Sequence, residues 1–227
     1  MSNLPVTLAD IEQAARRIDG RVLNTPLVFS ASLSERCGVP VGLKLEHHQT
    51  TGSFKLRGAT NAVLSLTPEE RARGVVAAST GNHGRALAHA ARAEGSIATI
   101  CMSRLVPDNK VSEIRRLGAN VRIVGKSQDE AQLEVDRLVA EDGLVMVAPF
   151  DNRVVVAGQG TLAVGADAHA RGGVAAQRHA PGAAGEPVEP GGSKQCIMAA
   201  IMLQHEDAHD QAGGPDAGSL VVLRRHA

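Results

Sequence analysis

The 227-residue chain carries 24 basic and 24 acidic side chains. With no net formal charge it offers no electrostatic reason to bind nucleic acid or an anionic membrane. Three scattered cysteines, Cys37, Cys101 and Cys196, argue against a disulfide framework or a cysteine metal site. The absence of a signal-peptide pattern or a bilayer-length apolar run adds the expectation of a soluble cytoplasmic protein of one large or two small domains.

In chain order, Thr7 opens a helix that places Leu8, Ile11, Ala15 and Ile18 on one face and ends at Gly20. "VGLKLE" (41–46) reads as a strand and "SFKLRGATNAVLSL" (53–66) as a helix. Thr67, Pro68 and Glu70 form a helix start, with cap, first-turn proline and a carboxylate reaching back. Strand–helix pairs follow: 75–79 with 82–94, 97–102 with 107–117, and 121–124 with a helix opened by Ser127 and Glu130. A strand at 144–147 closes the series. Such alternation predicts βαβ units around a parallel sheet, and a sheet covered on both faces explains the nearly unbroken apolar runs. After Leu162 the pattern stops. Residues 163–227 hold none of the three phenylalanines and are rich in Ala, Gly, Pro and His. Apart from apolar patches at 197–203 and 219–223, loop or disorder is expected there.

Two segments carry chemistry. In "TTGSFKLRGATNAV" (50–63), Gly52 and Ser53 form a turn into a helix, Lys55 stands at the helix mouth and Phe54 lies beside it. A lysine gains nothing from the helix dipole at that end. Partial burial there lowers an amine pKa and frees a nucleophile able to condense with an aldehyde, although a solvated surface lysine fits the same residues. In "VVAASTGNHGRALAHAA" (75–91) a strand runs into Ser79, Thr80, Gly81, Asn82, His83 and Gly84 before a helix begins. Backbone N–H groups at that helix start suit a carboxylate or phosphate, and the alternative is a plain turn capped by Asn82. "GNHG" is not a dinucleotide fingerprint.

"SFKLRGA", "STGNHG" and "AGQGT" (157–161) together resemble the fold-type II pyridoxal-phosphate enzymes, the serine/threonine dehydratases and serine racemases. "LEHHQTTGSFKLRGATNAV" and "CMSRLVPDNK" look most like the hydroxyectoine-utilisation dehydratase branch. The resemblance covers about residues 5–162. It implies a two-domain α/β fold of the tryptophan synthase β-like kind, with parallel and mixed sheets flanked by helices. Residues 1–73 plus 149–162 would form part of the large domain, 74–148 the small domain, and 163–227 a tail outside the family. By the same resemblance, Lys55 would hold pyridoxal 5'-phosphate and serve as the base for the α-proton. Phe54 would sit against the cofactor and Asn82 would meet its ring hydroxyl. Ser79, Thr80 and His83 would grip the substrate carboxylate, and Phe150 would line the substrate pocket. The implied reaction turns a small β-hydroxy amino acid into a 2-oxo acid and ammonia. Thr80 lies where racemases of the family carry a serine, which leaves racemisation as an alternative. Relatives of this kind are commonly homo-oligomers.

The family's glycine-rich phosphate loop has no counterpart at "GG" (172–173) or "GGSK" (191–194), so the large domain is expected to be truncated, by a shift or break of the reading frame near residue 163. An inactive remnant or interaction partner is the non-catalytic alternative. "HEDAH" (205–209) has the H-E-x-x-H form of a zinc site, but its surroundings supply no third ligand, and no metal is expected.

Overall fold

The computed structural model describes residues 6–38, 41–177, 197–201 and 220–224. These fall into two compact units, one formed by residues 1–23 with 49–162 and the other by 24–48 with 163–227.

The first unit begins with α1 (Leu8–Ile18). Thr7 and Asp10 close a capping box on it: the Thr7 side chain accepts from Asp10 N–H, and the Asp10 carboxylate accepts from Thr7 N–H at 2.8 Å. Ala14 and Ile18 supply its buried stripe. Helix α3 (Lys55–Leu64) is buried along nearly its whole length, whereas the short α4 (Pro68–Arg73) has no buried residue and owes its start to the Thr67–Glu70 capping box and Pro68.

A parallel four-stranded sheet follows, in the spatial order β5 (Asn120–Ile123), β4 (Ala98–Met102), β3 (Val75–Ala78), β6 (Val145–Met146). Every residue of the two central strands is buried, as their continuous apolar runs require in a sheet covered on both faces. One cover is α5 (Asn82–Ala93), which packs Ala86, Leu87, Ala90 and Ala91 into the main core with Leu56 and Val63 of α3. Another is α7 (Gln128–Asp142), whose Ala131, Val135 and Leu138 form a second cluster with Val76, Ala78 and Cys101. Between β4 and β5, α6 (Asp108–Arg116) adds Val111 and Ile114 to the main core.

Helix α8 (Arg153–Gln177) starts where Asn152 Oδ1 accepts from the N–H groups of Val154 and Val155 at 2.9 and 3.1 Å. It crosses α3 at a pair of glycines. A Cβ on Gly58 would lie 2.7 Å from Val155 O, and one on Gly158 would lie 2.7 Å from Arg57 O and 2.8 Å from Gly58 Cα. The two backbones therefore touch. Asn61 reinforces the crossing, donating from Nδ2 to Val154 O at 2.7 Å and accepting from Arg17 Nη1 of α1 at 2.7 Å.

The second unit contains β1 (Leu27–Phe29), α2 (Ala31–Cys37) and β2 (Val41–Lys44), then a 3-10 turn at Glu46–His48. Its sheet has the order β1-β2-β7-β8, with β7 at Ile197–Ile201 and β8 at Leu220–Arg224. Only β2 and β7 run parallel. Lys44 is buried and donates from Nζ to Thr25 O at 2.5 Å, while Thr25 Oγ1 donates to buried Glu46 at 2.5 Å.

Between residues 163 and 177 the Ala- and Gly-rich composition suggests loop, but α8 continues there. The apolar patches near 200 and 221 are strands. "GG" at 172–173 lies inside α8, so it forms no loop. The "GGSK" and "HEDAH" segments lie outside the described residues. No helix among the described residues is long and apolar enough to cross a membrane.

Candidate active site

Lys55 is placed by a tight local turn. Gly52 adopts φ +72, a left-handed conformation that a side chain would strain, and its N–H donates to Gln49 O at 2.7 Å. Ser53 Oγ then accepts the Lys55 N–H at 3.2 Å, so the lysine becomes the first residue of α3. Its Nζ donates to Pro149 O at 2.9 Å and lies 5.1 Å from the centre of the Phe54 ring. Burial pushes the Lys55 amine below the usual lysine range, because removing water penalises the ammonium. This is the half-buried amine beside an aromatic side chain that the sequence suggested.

The second segment forms the turn between β3 and α5. Ser79 is buried and its Oγ accepts from Gly84 N–H at 2.9 Å and Gly81 N–H at 3.3 Å. A Cβ on Gly84 would sit 3.3 Å from the same oxygen and 3.0–3.1 Å from Ile114 and Ile100, so the helix meets the turn closely there. Ser79 thus does the capping work that composition could have assigned to Asn82. Gly81 is the residue at the cap and Asn82 the first inside the helix, where its Oδ1 accepts from Arg85 Nη2, one turn along. Thr80 is exposed.

His83 is 3 % exposed. Its Nε2 lies 2.8 Å from Val147 O. A carbonyl can only accept, so Nε2 carries the proton and Nδ1 presents a lone pair. Nδ1 is buried without a hydrogen-bond partner among the described residues. Burial pulls the His83 pKa down to about 4; the bond to Val147 opposes this and the nearby Lys55 charge adds to it. A neutral imidazole whose one N–H is already engaged cannot donate to a carboxylate. The His83 side chain thus has no proton for a carboxylate, and the donors beside it are the hydroxyls of Ser79 and Thr80 and the backbone N–H groups of Asn82 and His83, which have no acceptor inside the helix.

Lys55 and His83 therefore hold the same stretch of chain, the segment after β6, at Pro149 and Val147 respectively. Phe150 stands apart. Its side chain is 71 % exposed, and the contact with Lys55 is made by the preceding carbonyl. Neither Pro149 nor Val147 could be found from sequence, since they act through backbone oxygens that leave no residue-type signal. The glycines at 58 and 158 did leave one, in "LRGA" and "AGQG", where helix-breaking residues sit inside helices.

These side chains fit the aldehyde end and ring of a pyridoxal group. A desolvated amine faces the segment, an aromatic ring lies beside it, and a buried acceptor lacks a partner close to it. No group of three or more His, Cys, Asp or Glu side chains among the described residues could hold a metal ion.

Comparison with known proteins agrees with the resemblance read from the motifs. The family profile described as "Pyridoxal-phosphate dependent enzyme" matches residues 18–176, beyond Leu162, where the motif resemblance stops. A Sinorhizobium fredii protein named provisionally as a threonine dehydratase is 66 % identical over 162 residues, which are 71 % of this chain and 48 % of that protein. The L-threonine ammonia-lyase of Thermotoga maritima is 46 % identical over 157 residues, 69 % of this chain and 39 % of that enzyme. The crystal structure of serine racemase from Dictyostelium discoideum superposes with a TM-score of 0.67 at 36 % identity, covering 70 % of this chain and 52 % of that one. The chain thus spans about half the length of the relatives it matches. Its α/β fold is that of the fold-type II pyridoxal-phosphate enzymes, and with 18–176 matched the chain belongs to the pyridoxal-phosphate dependent enzyme family.

Proposed function

We propose that this chain carries the lysine half of a dehydratase site that releases ammonia from a small β-hydroxy amino acid, threonine or serine foremost. The observation that carries the reading is the Lys55 amine, half-buried, lowered in pKa by desolvation and positioned at a helix start by Gly52 and Ser53. The names of the relatives, threonine dehydratase and L-threonine ammonia-lyase, support the same reaction. The hydroxyectoine-derived substrate suggested by motif wording is a finer alternative within it. Residues 74–148 would be the small domain, with 1–73 and 149–162 in the large one, and a cytoplasmic, homo-oligomeric enzyme is the matching setting.

Lys55 Nζ would hold the cofactor through its aldehyde, with Phe54 against the ring and Asn82 at the ring oxygen. Bound pyridoxal phosphate supplies an electron sink conjugated to the substrate α-carbon. Lys55 Nζ would be the group that takes the α-proton of a bound substrate. Its lowered pKa keeps a larger neutral fraction near neutral pH, the form a base needs. Ser79 retains a hydroxyl proton to donate after accepting two backbone N–H groups. With Thr80 and the first-turn amides of α5 it would orient the substrate carboxylate. His83, neutral, holds Val147 and so fixes one end of the segment that passes Lys55. Loss of the α-proton and the β-hydroxyl releases water, and hydrolysis of the resulting enamine gives a 2-oxo acid and ammonia.

The test is ammonia and 2-oxo acid formation from L-threonine and L-serine by chain supplied with pyridoxal phosphate. Both products are expected in equal amounts, and both vanish in Lys55→Ala. Racemisation is the second reading, favoured by the serine racemase likeness. It would replace the first if D-serine formed faster than ammonia.

A further inference from the structure

The proposed role of Asn82 depends on which end of its amide faces the site, and Asn82 itself does not decide this. An asparagine at a helix start ordinarily turns its oxygen onto the first-turn N–H groups. Here the cap residue is Gly81, which has no side chain, Ser79 Oγ takes the N–H of Gly84 and of Gly81, and Asn82 is the first residue inside the helix. Its oxygen is claimed from the other side. Arg85, three residues on and thus on the same helix face, donates from Nη2 to Asn82 Oδ1. Arg85 is held in turn by Glu113 of α6, with Nη1 to Oε2 at 3.1 Å and both side chains partly covered. The guanidinium has only donors, so its partner must be the amide oxygen and never the amide nitrogen.

We infer that Arg85 is a positioning residue. By holding the oxygen of Asn82, and being itself braced by Glu113, it turns the Asn82 NH2 outward as a fixed donor, suited to an anionic ring oxygen of the bound cofactor. A plain amide at this place would flip between donor and acceptor, and an acceptor would repel that oxygen. The inference rests on the reading of the site given above and adds to it the pair that sets its polarity.

The test compares Asn82→Ala, Arg85→Met and Glu113→Gln with the unsubstituted chain, each checked for an unchanged far-ultraviolet circular dichroism spectrum. The unsubstituted chain is first incubated with pyridoxal phosphate, reduced with borohydride and mapped, which shows whether Lys55 is the attachment point. Two readouts follow. In the cofactor-free chain, the side-chain amide resonances of Asn82, identified by their loss in Asn82→Ala, should move in Arg85→Met, and in the same direction by less in Glu113→Gln. With cofactor, Arg85→Met should shift the visible absorption band as Asn82→Ala does and weaken binding about five- to tenfold, the effect of one lost hydrogen bond. The double variant Asn82→Ala/Arg85→Met should then show no further change. If Lys55 is labelled and Asn82→Ala shifts the band while neither Arg85→Met nor Glu113→Gln does, the positioning role is wrong and the site reading stands. If Lys55 is not labelled in the unsubstituted chain, the site reading fails and the inference fails with it. Should Arg85→Met not fold, Glu113→Gln alone decides, through the amide resonances and the band.

Discussion

At the scale of single residues, the site is governed by what burial does to two basic groups. His83 is the sharper case because burial pulls its pKa from the ordinary 6.5 down to about 4. A folded-state pKa below the unfolded one means that the unfolded chain binds the proton more readily. The neutral ring's contribution is then complete above pH 6.5 and is lost as the pH falls toward 4. A shift of that size corresponds to roughly 3 kcal/mol. His83→Gln keeps an N–H donor for Val147 O and cannot titrate. Urea midpoints between pH 7 and 4 should therefore fall more steeply for the unsubstituted chain than for His83→Gln, and equal slopes would refute the assignment. Ser79 gives a second prediction. Removing its hydroxyl leaves two N–H groups at the start of α5 without their acceptor, so Ser79→Ala should cost about 1 kcal/mol in denaturant unfolding. An unchanged midpoint would mean that water replaces the hydroxyl without loss.

Elements place these residues through close backbone approach. The α3–α8 crossing tolerates no Cβ at either glycine, since backbone oxygen lies within 2.7 Å of both positions. Gly58→Ala and Gly158→Ala should each destabilise the chain by about 1–3 kcal/mol through overpacking, despite alanine's better helix propensity. Thermal unfolding should show this as a fall of roughly 2–4 °C per kcal/mol. A rise in the midpoint instead would contradict the packing described. The same glycines explain why α8 was hard to read. A helix start is legible where caps and periodicity agree, as at Thr7, Thr67 and Ser127, each with its carboxylate three residues on. In α8 the glycines that permit the crossing are those that propensity counts against a helix, and the Ala- and Gly-rich continuation to Gln177 looks like loop. β1 and α2 leave no such signal for other reasons: β1 has three residues, too few for a period, and α2 buries none of its side chains. The reactive segments were legible because Lys55, Ser79 and Asn82 announce chemistry by residue type. Arg85, Asn61 and the carbonyls of Val147 and Pro149 gain their roles only from contacts made in the fold.

For the molecule as a whole, the family profile runs to residue 176 while the chain spans between 39 % and 52 % of the relatives described above. The parallel sheet with α3, α5 and the first part of α8, to Leu162, forms one compact unit that contains Lys55, Asn82 and His83 together. All the side chains proposed to meet the aldehyde end of the cofactor thus belong to that unit. Among the lysines of the chain, Lys55 is the one proposed to capture an aldehyde. Incubation with pyridoxal phosphate, borohydride reduction and peptide mapping by mass spectrometry measure this directly. A stoichiometric adduct is expected on the peptide containing Lys55, absent from Lys55→Ala. An adduct spread over Lys44, Lys110 and Lys126, or one unchanged in Lys55→Ala, would contradict it.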